Sequence, residues 1–177
     1  LIWKGIYASN SVADIYERMM RYSYKEVPKM VDKSIIGREY PEFTFEVEKG
    51  KIREFARAIG DKNPLYYDEK AAKEAGFEGL VIPPSFPTVF AMAGGLMEVM
   101  LGDLKLDLAK ILHGGQQYEY FKPIKPGDTV TGKVRIANAF EKSGKAGTMD
   151  FIVMETTYTN QNGEKVLVDT STMIQRR

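Results

Sequence analysis

The spacing of apolar and polar residues changes period several times along the chain. In "FTFEVEK" (43–49), Phe43, Phe45 and Val47 alternate with Thr44, Glu46 and Glu48, the pattern of a half-buried strand. "KIREFARAIG" then puts Ile52, Phe55, Ala56 and Ile59 on one helical stripe and stops at Gly60, and "DEKAAKEAGF" reads as a shorter helix closed by Gly76. Pro87–Leu101, "PTVFAMAGGLMEVML", is apolar nearly all round, with only Glu98 charged and Gly94-Gly95 at its centre. A helix apolar on every side is expected to be buried on every side, and this one is shorter than the roughly 20 residues that cross a bilayer, so the protein itself should surround it.

After this segment the period becomes two. "HGGQQYEYFKPI", "DTVTGKVRIANAFEK", "TMDFIVMETTYTN" and "EKVLVDTSTMIQ" read as four strands, with "KPGD" (125–128) and "NQNG" (160–163) as turns. Val130, Val134 and Ile136 alternate with Thr131, Lys133 and Arg135, whereas Phe151 and Val153, then Ile152 and Met154, make the next strand apolar on both faces. One face is expected to meet the apolar helix, and the other is free to meet a second subunit. Towards the N-terminus, "SVADIYERMMRY" (11–22) has Val12, Ile15, Tyr16, Met19 and Met20 on one helical face, opened by a Ser11/Asp14 capping pair. Residues 1–30 are expected to form an arm and linker docked on a main domain spanning 31–177. The order strand, helices, apolar helix, antiparallel meander implies an α+β fold, a single curved antiparallel sheet wrapped around a buried central helix.

Composition narrows the chemistry. With 177 residues the chain fits one domain plus an arm, and 25 basic against 24 acidic side chains provide no field for nucleic acid or anionic lipid. The absence of Cys excludes disulfides, thiolate metal sites and a Cys nucleophile and suits a cytoplasmic setting, and the single His113 excludes a His-rich metal centre. "LIWKGIYA" is too short and polar for a signal-peptide core. No metal or redox cofactor is implied.

The segment "ARAIGDKNPLYYDEKAAKEAGFEGLVIPPSF" (56–86) resembles the signature of MaoC-like dehydratases and (R)-specific enoyl-CoA hydratases. "LHGGQQYEYFKPIKPGDTVT" (112–131) is similar to the N-terminal-type (FAS1-like) MaoC domain and to mycobacterial 3-hydroxyacyl-ACP dehydratase subunits that work as heterodimers. The resemblance spans about residues 31–177. It implies the hot dog architecture, a homodimer or a heterodimer with a sister chain, and reversible addition of water to trans-2-enoyl thioesters of CoA or phosphopantetheine. The family's catalytic pair is an Asp and a His on one loop. Asp61 and Asn63 match by position, but Tyr66 stands where the His belongs.

That replacement changes what the loop can do. Dehydration needs a base for the α-proton, an acid for the departing hydroxyl, and donors for the thioester oxygen. A phenol, with an ordinary pKa of about 10, is a poor base near neutrality but a competent donor. Asn63 is suited to orienting water or the carboxylate. Donors for the thioester oxygen are expected from the backbone amides of Ser85 and Phe86 at the start of the apolar helix, since Pro83, Pro84 and Pro87 have none. His113 is either a structural residue or a substitute base. Gly94 and Gly95 either open an acyl channel or let the sheet close tightly. "EKSGK" (141–145) is either a phosphate contact or a solvated turn. For the loop itself the rival reading is a turn in which Asp61 and Asn63 bond nearby backbone, and for Tyr66 it is packing.

Four functions compete: a self-sufficient hydratase built on Asp61, an acyl-binding subunit completed by a sister chain carrying the Asp–His pair, a hot dog thioesterase, and a non-catalytic acyl-binding or assembly module. Glu98 is the carboxylate a thioesterase would have on its helix.

Overall fold

A computed structural model describes residues 32–144 and 147–177. The expected N-terminal arm lies outside the described residues. Five strands form one antiparallel sheet: β1 (Phe43–Glu46), β2 (Ile111–Tyr120), β3 (Thr129–Gly144), β4 (Gly147–Thr159) and β5 (Lys165–Arg176). Their order is β1-β3-β4-β5-β2, so the strand that follows the helices returns to the far edge. Among the described residues four α-helices accompany the sheet: α1 (Lys49–Ala58), α2 (Glu69–Glu74), α3 (Thr88–Ala93) and α4 (Leu96–Leu104).

Local chemistry sets the boundaries. Ile52 and Ala56 form the buried stripe of α1, and Gly60, at φ 74, turns the chain out of it. Asp68 caps α2 by accepting from the Lys70 amide at 2.8 Å. The 125–128 turn closes with Gly127 at φ 91 and the Lys125 amide on Asp128 Oδ2 at 2.9 Å, and in the 160–163 turn Asn160 Oδ1 accepts from the Asn162 and Glu164 amides at 3.0 Å.

The inward face of the sheet carries two apolar clusters. One gathers Val47, Ile52, Tyr66, Phe86, Phe90, Val130, Tyr158 and Leu167, and the other Leu96, Met100, Val134, Ile136, Ile152 and Met173. On the outward face Phe140 and Phe151, paired in register, stack at 5.0 Å with Lys142 above both rings.

The apolar segment departs from expectation in two ways. It is two helices rather than one, because Gly95 adopts a left-handed φ of 64 between α3 and α4. It is also not sheathed on every side: Phe90, Leu96 and Met100 face the sheet, whereas Met92 is 74% exposed and Met97 and Val99 also face outward. One five-stranded sheet covers one side of a helix, and among the described residues nothing covers the remaining apolar side.

Candidate active site

Gly60 brings Asp61 out of α1 with its amide bonded to the Ala56 carbonyl at 2.9 Å. Asp61 Oδ1 accepts from the Asn63 amide at 2.9 Å, and Asn63 Oδ1 accepts from the Leu65 amide at 3.1 Å. Pro64 then opens a single 3-10 turn ending at Tyr66, and the Tyr67 hydroxyl donates to the Asp61 carbonyl at 2.5 Å. The turn reading of this loop is therefore realised: both polar side chains hold backbone. Asp61 Oδ2, by contrast, has no hydrogen bond among the described residues.

Tyr66 is brought against both residues. Its ring is buried in the cluster with Phe86 and Phe90. Burial, and secondarily the charge of Asp61, raise its pKa above the ordinary phenol value. It is a protonated donor beside a carboxylate, with no capacity as a base near neutrality.

The loop is fastened to the segment before α3 by the Val81 amide, which donates to the Leu65 carbonyl at 3.2 Å. In that segment Phe86 is fully buried and meets Phe55 and Phe90 edge to face at 5.5 and 5.6 Å. The amides here largely satisfy themselves: Phe86 donates to Pro83 O at 2.9 Å, Thr88 to Ser85 O at 3.2 Å and Val89 to Phe86 O at 2.9 Å. Ser85 is exposed, and its amide has no acceptor among the described residues.

The remaining candidates lie elsewhere. His113 is exposed on β2, opposite Met173 of the second apolar cluster, and no contact among the described residues joins it to the loop. Gly94 packs on Phe43, and Gly95 makes the helix break. Glu98 points outward from the first turn of α4. Of "EKSGK", Glu141–Gly144 end β3, and Lys145 lies outside the described residues. Among the described residues no group of three His, Asp or Glu side chains is placed to hold a metal, and no helix is long and apolar enough to cross a membrane.

A polar band went unnoticed in the sequence. Thr156, Asp169 and Tyr118 stand in register across β4, β5 and β2, between the two apolar clusters. Gln116 donates its side-chain amide to Asp169 Oδ1. The Tyr118 hydroxyl shares a hydrogen bond with Thr88 Oγ1 at 2.5 Å, and the Tyr120 hydroxyl donates to Pro84 O at 2.9 Å. Three inward residues of β2 thus fasten that strand to β5 and to the start of α3. The signal was present in β5: once Leu167 and Met173 fix the inward phase, Asp169 shares it.

Residues 34–168 match the FAS1-like, dehydratase domain region. The chain belongs to this family. UPF0336 proteins of Saccharopolyspora erythraea and Thermobifida fusca are 36% identical to this chain over 147 residues and 34% over 148, each alignment covering 82% of this chain and 92% and 94% of the relative. Among solved structures, the C-terminally truncated HadBC (3R-hydroxyacyl-ACP dehydratase) complex from Mycobacterium tuberculosis superimposes with a TM-score of 0.66 at 29% identity, covering 79% of this chain and 96% of that one. The curved five-stranded sheet with its inner helices is the hot dog fold, as the family resemblance implied.

Proposed function

We propose that this chain is the acyl-binding subunit of a hydro-lyase that interconverts 3-hydroxyacyl and trans-2-enoyl thioesters, carried on CoA or an acyl carrier protein. A second hot dog chain supplies the Asp–His pair. The observation that carries this reading is Tyr66, a buried and protonated phenol, in the place of the family's base and against Asp61.

In the dehydration direction a base removes the α-proton, the C–H electron pair becomes the new double bond, and the hydroxyl leaves as water with a proton from an acid. Near neutrality Tyr66 cannot perform the first step. It is suited to donating a hydrogen bond to the hydroxyl or the thioester oxygen, with the Ser85 amide as a second donor and Asp61 Oδ2 as an acceptor that orients the substrate. The partner is expected along β2. This ten-residue strand pairs only with β5 among the described residues, and Leu112, Tyr120 and the adjoining Phe121 are exposed, as is the outer side of α3 and α4. The solved HadBC neighbour, itself a complex, supports a two-chain arrangement.

Asp61 Oδ2, without a hydrogen bond among the described residues, keeps one alternative in play, a chain that hydrates enoyl thioesters unaided. Purified protein offered a short trans-2-enoyl-CoA, followed by loss of the conjugated double bond, separates the two. Activity of the chain alone that disappears in Asp61→Asn establishes the self-sufficient enzyme and removes the subunit reading. An inactive chain that restores turnover to a family member bearing the Asp–His pair supports the subunit. Release of free thiol instead identifies a thioesterase.

A further inference from the structure

Asp169 is 5% exposed on the inward face of β5. It faces Tyr118 of β2 on one side and Thr156 of β4 on the other, with Tyr158 of β4 close by. Its one hydrogen bond among the described residues comes from Gln116 of β2. From α3 the nearest polar group, Thr88, is engaged with Tyr118. The titratable groups facing Asp169 are thus the phenols of Tyr118, Tyr120 and Tyr158, and no cation pairs with it among the described residues. Beside it the Tyr158 hydroxyl is the one buried side-chain polar atom without a partner among the described residues.

A carboxylate in such a layer is stabilised when water reaches it. β4 flanks it on one side. On the other is β2, the sheet edge among the described residues, where Gln116 is already exposed. Opening an edge strand costs less than opening the β3–β4–β5 centre, because only one ladder is lost.

We propose that buried Asp169 is a proton-operated latch on the edge strand: with Asp169 neutral, β2 lies closed on β5, and when Asp169 loses its proton the stretch Gly115–Tyr120 opens to hydrate the carboxylate, against the bond from Gln116. Burial raises the Asp169 pKa to about 6, which puts the transition within the ordinary working range of a protein. If a partner chain pairs along β2, a consequence that rests on the function proposed above, pairing covers this edge and favours the protonated form, so assembly takes up a proton.

Amide hydrogen exchange of the full chain, corrected for the intrinsic pH dependence of exchange, tests the latch without any activity assay. Between about pH 5 and about pH 7.5 the protection of Gln116–Tyr120 is expected to fall on the order of tenfold, while β3 and β4 keep theirs. Asp169→Asn should abolish the change. Should that variant fail to fold, Gln116→Leu removes the donor that favours the charged form and should move the transition to higher pH. Equal protection of β2 at both pH values overturns the latch, as does a parallel loss in β3 and β4, or a transition unmoved in Gln116→Leu.

Discussion

The Phe43 ring stands where a side chain on Gly94 would be: a Cβ on Gly94 would lie 2.6 Å from it. The same ring crosses Gly132 of β3, where a Cβ would lie 2.5 Å away. The two glycines form a slot that lets the helical pair settle on the sheet at β1. Gly94 has an ordinary backbone angle, φ −75, so its requirement is steric rather than conformational.

Gly94→Ala is therefore expected to destabilise the fold by about 1–3 kcal/mol through overpacking. Phe43→Leu should be less sensitive to the same change, giving a coupling of roughly 0.5–3 kcal/mol in a double-mutant cycle read by urea unfolding. Additive effects would mean that the ring moves aside without cost.

Asp169→Asn should make stability less dependent on pH. The folded-state pKa of Asp169, about 6, lies above the ordinary 3.8, so the folded chain holds this proton more tightly than the unfolded one. Below about 3.8 both states are protonated and no penalty exists. The penalty grows as pH rises and is complete above about 6, where it reaches ~3 kcal/mol. Wild type and variant should thus match in acid and diverge in the variant's favour towards neutrality, as measured by denaturant unfolding across that window.

Tyr158→Phe removes a fully buried hydroxyl with no partner among the described residues. The change should be neutral or stabilising by up to about 1 kcal/mol, since the hydroxyl carries its desolvation cost without a hydrogen bond. A loss above about 1 kcal/mol in the unfolding midpoint analysis would show that the hydroxyl is satisfied in solution.

Tyr66→His returns an imidazole to the loop beside Asp61. If the loop is otherwise competent, hydration of a short trans-2-enoyl-CoA by the chain should rise on the order of 10²-fold. The gain should vanish in the Tyr66→His, Asp61→Asn double variant. A folded Tyr66→His protein no faster than wild type would place the missing element outside this loop.

Much was legible before any coordinates. Alternation in β1 and β3, the helical stripe of α1, and the turn residues at 125–128 and 160–163 are patterns written within a few neighbouring residues. The Asp61–Asn63 turn was legible for the same reason. What the local pattern misjudged was the apolar segment: hydrophobicity all round reports that every face seeks cover, not which element provides it. The left-handed Gly95 break was hidden too, because glycine permits that conformation without demanding it.

By itself, then, the sequence determined the periods, the turns and the chemical identity of the loop, since these follow from side-chain type and short-range backbone geometry. Only the tertiary structure decided that Gly94 makes room for Phe43, that among the described residues the amide of Phe86 is occupied while that of Ser85 is not, and that Asp169 meets Gln116 of the neighbouring strand. Those relationships join residues far apart in the chain, and it is the packing of the whole sheet that gives them their distances and their dielectric surroundings.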